Sequence, residues 1–213
     1  MAATPTLEDV IKRIIKNELA DVHTMMPAKI VTYDPAECKV DVEPVIKTLF
    51  SDETVIDMPI IREVPVNWLR TSTASLTFPL APGDLGKLIF SEKSIDKWIT
   101  SGALDVPSDP RRFDLSDAVF EPGLYPFNES PLEPVGESVV LKFNNSQVTI
   151  NPDGKIAIGN NSQELLDIVD QLLVALNTAT VSTMMGPQPL SIMIDGTLAT
   201  LISDLSEIKG VLA

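Results

Sequence analysis

The hydrophobic pattern of this chain changes period several times. From Leu7, apolar residues recur at helical spacing (Leu7, Val10, Ile11, Ile14 and Ile15, with Leu19 and Val22 close to the same stripe). That predicts an amphipathic helix whose outer limit is Pro27. The Thr6 hydroxyl is placed to cap the amide three residues on. So short a helix is marginal alone, and it must pack on the rest of its chain or on a neighbouring subunit. From Lys29 the period becomes two. Ile30 and Thr32, then Val40, Val42 and Val45, predict paired strands joined around Asp34-Pro35-Ala36-Glu37. Prolines at 59 and 65 make Val55 to Val66 an irregular or edge strand.

Phe78-Pro79-Leu80 and Pro82-Gly83-Asp84 predict a turn before Leu85 to Phe90, a run apolar enough for a core. Glu92 to Trp98 reads as a short helix ending near Ser101-Gly102. Val106 to Pro134 is proline-rich and poorly periodic, and is expected to wrap a surface or lie along a partner. This order of events predicts a small β-barrel.

Alternation returns between Glu137 and Gly159. Val139, Leu141 and Phe143, then Val148 and Ile150, then Ile156 and Ile158, form three short β pieces. Asn144-Asn145-Ser146 and Pro152-Asp153-Gly154 supply the turns between them. Such pieces cannot make a core alone. Either three chains wind about a common axis, or the strands add a sheet to the barrel. The tail is helical. Asn161 and Glu164 suit a capping box, and Leu165, Leu166, Ile168, Val169, Leu172, Leu173 and Leu176 give a wide apolar face. The loop Met184 to Pro189 leads to a second helix beginning near Gly196, through Leu198, Leu201, Ile202, Leu205 and Ile208 toward Leu212. The wide face is expected to be buried against other chains, or to pack back on the barrel.

Composition narrows the function classes. The formal charge of −14 over 213 residues disfavours nucleic acid and anionic membrane as partners. Arg111-Arg112 is a doubly basic pair, but no cationic, aromatic-lined groove for single strands is visible. Arg111 and Arg112, near Asp114 and Asp117, either form ion pairs or lie in a solvated loop. One cysteine, Cys38, allows no internal disulfide and reads as a half-buried strand residue rather than a reactive thiol. Met1 leads into an acidic, capped helix, so no signal peptide is expected, and no run reaches the length of a membrane span.

Candidate chemistry is sparse. The one histidine, His23, is placed at the end of the first helix and reads as a capping or interface residue. One histidine and one cysteine cannot assemble a metal site within one chain. Carboxylates occur at Glu8-Asp9, Asp52-Glu53, Asp114 and Asp117, but no sugar cleft lined with aromatics accompanies them, with Trp68 and Trp98 the only tryptophans. No catalytic residue, metal site or cofactor is predicted.

Two sections resemble a known family: MPAKIVTYDPAECKVDVEPVIKTLF, and FPLAPGDLGKLIFSEKSIDKWITSG followed by DPRRFDLSDAVFEPGLYP. Over residues 26–126 the chain is similar to the N-terminal OB-like domain of Gp138-type central spike proteins of contractile-phage baseplates. Together with the periodicities outside that span, the resemblance implies a mainly β protein with α appendages. Its expected parts are an N-terminal helix (1–26), an OB-like β-barrel with a proline-rich connector (27–133), a short intertwined trimeric β-helix or prism (134–160) and a C-terminal helical region (161–213). It also implies a structural, non-enzymatic virion protein, made soluble in the host cytoplasm. This would be a homotrimer that caps the tail tube and punctures the host envelope on sheath contraction.

The implied partners are baseplate hub and tail-tube proteins, a separate tip protein or the tape-measure end, and the host envelope. The alternatives are a hub or adaptor that never pierces, and a cell-wall hydrolase. Such spikes often end in a His-x-His apex that binds iron; no histidine follows His23 here, so that metal is not carried over. The candidate trimer interface is Val139, Leu141, Phe143, Val148, Ile150, Ile156 and Ile158 with Leu165, Ile168, Val169, Leu172 and Leu176.

Overall fold

Helix α1 forms where the periodicity places it, over Leu7–Ala20. Thr6 caps it reciprocally with Asp9: the Asp9 amide donates to Thr6 Oγ1 at 3.2 Å and the Thr6 amide to Asp9 Oδ2 at 2.9 Å. The computed structural model describes residues 6–20, 22–49, 53–104, 106–128, 136–189 and 195–209. The chain divides into two compact units, Met1–Pro131 and Leu132–Ala213.

In the first unit five strands form one curled antiparallel sheet: β1 Met25–Asp34, β2 Lys39–Pro44, β3 Ile61–Pro65, β4 Leu85–Phe90 and β5 Ala118–Pro122, in the order β3-β2-β1-β4-β5. The two edges approach each other at Val66, which bridges in parallel to Phe120, while the Asn67 amide donates to the Phe120 carbonyl at 2.7 Å. A curled five-stranded sheet with this order is compatible with an OB-like barrel. Its core is aliphatic apart from two phenylalanines: Ala28, Ile30, Val40, Val42, Val64, Leu88, Phe90, Ala118 and Phe120.

Several expectations are corrected here. Pro27 lies inside β1, opposite Lys87, because the helix stops at Ala20 and the strand begins at Met25. His23 therefore falls in the link after α1 rather than on it. Ile30 and Thr32 do not share a face: the register slips between them, a bulge that leaves Ile30 buried and Thr32 exposed. Val45 is outside β2 and exposed. Cys38 is an exposed turn residue with φ of 53°, not a half-buried strand position. The short helix is α2 Asp96–Ser101, beginning later than Glu92 and closed by Gly102 in the left-handed region.

The largest correction concerns Val106 to Pro134. This segment contributes β5, with Ala118 and Phe120 in the core. Proline and glycine around a five-residue strand masked its alternation.

In the second unit, β6 Val139–Phe143, β7 Ser146–Ile150 and β8 Ile156–Asn160 form an antiparallel meander. The first turn uses Asn144 at φ 52° and the second Gly154 at φ 81°. Helix α3 is Leu165–Thr178 and α4 is Asp195–Ile208. The cap of α3 is Glu164, not Asn161: its carboxylate accepts from the Asp167 amide at 2.7 Å and from the Ile158 amide at 2.9 Å. A Cβ at Gly159 would lie 2.2 Å from the Gln163 carbonyl, so this strand-to-helix corner needs glycine.

The segment expected as a loop is instead mostly a hairpin, β9 Thr180–Thr183 paired with β10 Gly186–Pro189, turning at Met184-Met185. Its β-branched first arm and Gly186 at φ 101° explain the extended form. Lys209, after α4, ties to Asp167 at 2.6 Å and Asp170 at 3.1 Å of α3. Asp52 and Leu212 lie outside the described residues.

Candidate functional site

The three-stranded meander sorts its residues by face. Direct cross-strand partners lie on the same side of a sheet. Val139 pairs with Ile150 and Ile150 with Ile156, while Leu141 pairs with Val148 and Val148 with Ile158. With Phe143 they make one continuous apolar face. Six of the seven are 40–67% exposed, and Val148 is half-buried. The opposite face carries Thr149 and Ala157, both 0% exposed, with Gln147 and Gly159 beside them. The sheet therefore buries its small and polar side within its own unit and presents its large aliphatic side outward, the inverse of a solvated sheet.

Helix α3 repeats the arrangement. Leu166, Val169, Asp170 and Leu173 are half-buried, whereas Leu165, Ile168, Leu172 and Leu176 are exposed at spacings of three, four and four. That second stripe is turned roughly 100° from the first at 3.6 residues per turn. The structure thus brings eleven of the twelve predicted positions onto two exposed apolar surfaces of one unit, and sets Val169 on the inner side of α3.

Further apolar surface was not foreseen. In the first unit the hairpin between β2 and β3 exposes Val45, Ile46, Leu49, Val55, Ile56 and Ile60. Its signal was present in the run of aliphatics, but the prolines at 59 and 65 suggested only an irregular edge.

The polar groups are occupied structurally. Asp117 is buried; its carboxylate takes Arg111 Nε at 2.6 Å, Arg111 Nη2 at 3.0 Å and the Ile95 amide at 2.9 Å. Arg111 also reaches Asp96 at 2.6 Å. The hydrogen bonds to Asp117 and then Asp96 push the guanidinium pKa above its already high ordinary value. This network joins α2 and the approach to β5 to the barrel, and Arg112 pairs with Glu92. The Arg pair is thus engaged within its own chain.

Asp114 caps the single turn Leu115–Asp117, and hydrogen bonds from the Ser116 hydroxyl and amide hold its carboxyl below the usual range. Glu8 pairs with Lys12, and Asp9 caps α1. Glu53 is exposed. The His23 ring stacks obliquely on Phe90 at 5.5 Å, and its amide donates to the Phe113 carbonyl at 3.2 Å. The Trp68 ring lies 6.1 Å from that of Phe78.

An open depression of about 650 Å³ is lined by Thr32, Asp34, Lys39, Asp41, Arg62 and Glu63. Several of its charges are engaged: Asp41 takes Arg62 at 3.3 Å and the Glu63 amide at 3.0 Å, Lys39 pairs with Glu37 at 3.4 Å, and Asp34 accepts the Ala36 amide at 2.8 Å. Among the described residues no group of three or more histidine, cysteine, aspartate or glutamate side chains could hold a metal ion. Among the same residues no helix is long and apolar enough to cross a membrane.

The comparison with known families falls on the barrel. Residues 26–123 match the family model described as the phage protein Gp138 N-terminal domain, a span from the second residue of β1 to one residue past β5. No curated protein matches the chain.

Proposed function

We propose that this chain, whose barrel is a Gp138-type phage protein domain, is the homotrimeric central spike of a contractile-tail baseplate. In this reading it is a non-enzymatic structural protein of the virion. The barrel caps the tail-tube end, and the second unit points toward the host envelope and is driven through it on sheath contraction. The observation that carries the reading is the outward aliphatic face of the β6–β8 meander on a chain that also bears this phage domain.

The meander leaves its large aliphatic face uncovered within the chain, and an exposed apolar face of this kind marks an interaction surface. Around a threefold axis, the rows Val139-Ile150-Ile156 and Leu141-Val148-Ile158 would bury against their counterparts and supply the missing core. Leu165, Ile168, Leu172 and Leu176 would extend that contact at the spacing of a helical seam. The roles found for the charged groups (caps, ion pairs and a buried strut) suit a mechanical part.

A second reading has its own support. The β section is about 17 Å along each strand at the usual rise, and helices and a hairpin follow it rather than a needle. An adaptor joining the tail tube to a separate tip protein would look the same. Light scattering on the full chain, and on a version ending at Glu133, tests the assembly. The expected result is three times the 23.1 kDa chain mass, falling to one on truncation. A full-length monomer would sink both readings. Immunoelectron microscopy of contracted tails then separates them: a spike is found beyond the end of the tube, an adaptor beneath a further density.

A further inference from the structure

Between Gln171 and Ile194 the sequence has no charged residue and no histidine, the longest such run in a chain of net charge −14. The β9–β10 hairpin lies inside that run and forms a two-stranded sheet of its own. At its tip Met184 and Met185 are both at least 93% exposed. Two long apolar side chains are a poor choice for a turn in water, where Asn, Asp and Gly serve.

The backbone agrees with the side chains. Thr183 and Gly186 flank a two-residue turn, so that pair exchanges hydrogen bonds, as Val181 and Gln188 do two positions on. The alternate pairs, Ser182 with Pro187 and Thr180 with Pro189, turn their backbone groups outward. On β10 both outward positions are therefore proline, and neither has an N–H to leave unsatisfied.

That detail separates two occupants. A strand of another protein added along β10 would need those donors and would not find them. Hydrocarbon offers no hydrogen-bond partner, and it accepts most readily an edge from which the donors are missing. Charge points the same way. Anionic headgroups repel the acidic remainder of the chain, whereas the hairpin carries no charge to be repelled or desolvated. Ser182 and Thr180 open the other edge, but both lie behind the tip, at a depth where headgroups and water still form hydrogen bonds.

We infer that the β9–β10 hairpin is a lipid-contacting tip, with Met184 and Met185 entering the headgroup–acyl boundary of a bilayer to about 5–10 Å. This rests on the reading that the second unit meets the host envelope, and it assigns the lipid contact to one turn of that unit.

Vesicles of phosphatidylcholine test it. In a Cys38→Ser background of the full chain, Met184→Cys carries an environment-sensitive fluorophore, and Leu104→Cys in the first unit carries the same label as a control. Both positions are exposed, so the fold is not at stake. With vesicles, emission from the label at 184 is expected to move to shorter wavelength and to be quenched by lipids brominated high in the acyl chain. The label at 104 should respond to neither. In the unlabelled protein, Met184→Ser should lower vesicle partitioning about tenfold, the scale set by burying one methionine side chain. No response at 184 in a protein that light scattering shows as a trimer would overturn the lipid contact alone. Emission already at short wavelength before vesicles are added would mean that a neighbouring copy covers the tip, and would overturn it as well. A monomer by light scattering would overturn the spike reading, whatever the vesicles show.

Discussion

Gly86 offers a sharp test of how the barrel is packed. It is the second residue of β4, between Ala28 of β1 and Pro122 of β5. Its backbone is not left-handed, so a side chain here is excluded by space alone. A Cβ would lie 2.5 Å from the Phe120 ring and 2.5 Å from the Glu121 carbonyl. Ordinary carbon contacts are about 3.5–4.0 Å, so both neighbours would have to retreat by roughly 1 Å. Phe120 is 0% exposed and Glu121 is backbone in the adjoining strand, so neither has a free direction.

Overpacking of this kind costs about 1–3 kcal/mol or more, and replacing a strand glycine recovers only about 0.5–1 kcal/mol. We expect Gly86→Ala to destabilise the first unit by about 2 kcal/mol. Trp68 and Trp98 both lie within that unit, so tryptophan fluorescence during urea denaturation reports on it selectively. The midpoint should fall by about 1–2 M urea at unchanged slope. Phe120→Leu in the same chain removes the ring atoms but leaves the carbonyl, so the added cost of Gly86→Ala should shrink without vanishing. A Gly86→Ala midpoint indistinguishable from wild type would refute the packing argument.

Other expectations follow from the same geometry. Arg111→Leu strands the buried Asp117 carboxylate and should cost about 3–5 kcal/mol by the same fluorescence assay, whereas Arg112→Ala, on an exposed pair, should cost less than about 1 kcal/mol. Glu164→Ala removes the acceptor shared by Ile158 and Asp167; about 1–3 kcal/mol should be lost, seen as faster hydrogen exchange at those two amides first. The Asp114 carboxyl is depressed in the fold, so its contribution is complete above its ordinary value of 3.8 and fades only as pH falls through the lower folded value. Protection of the Ser116 amide should therefore survive at pH 4, fail in stronger acid, and lose that pH dependence in Asp114→Asn. Ile150→Asp places a charge on the outward face of β7 without touching the buried side of the sheet, and should dissociate the assembly by light scattering while circular dichroism stays unchanged.

The parts of the fold that were legible in the sequence are those whose periodicity is local. Strands β1, β2 and β6 to β8 announce themselves by alternation, β4 by its apolar run after a turn, and α1 and α3 by helical spacing. Strand β5 was hidden because its partner, β4, supplies the order that Ala118-Val119-Phe120 do not show alone, and prolines at 107, 110 and 122 argue locally for a loop. The bulge after Ile30 was hidden for a similar reason: an inserted residue is visible only against the opposing strand. The cap of α3 was misread by position, because Glu164 is fixed by the Ile158 amide six residues back as well as by its own helix.

The candidate surfaces show the limit of periodicity more directly. Alternation in Val139-Leu141-Phe143 says that one face of β6 is apolar, and the hydrophobic effect, having no direction, does not say what covers it. In the barrel, the same signal at Val40 and Val42 is answered within the chain by Leu88 and Phe120. In the meander the face turned inward is the weakly apolar one, with Thr149 and Ala157 shielded while six large residues stay outside. Reversing that choice would need only a one-residue shift in pairing, which exchanges the two faces of a strand. The register of all three strands instead keeps Val139, Leu141, Phe143, Ile150, Ile156 and Ile158 on the open side, and α3 leaves Leu165, Ile168 and Leu172 exposed as well. A chain that stood alone would gain stability from the opposite register. In the proposed assembly another copy of the same surface would supply that burial, and the interface and the fold of the second unit would then be specified by the same residues.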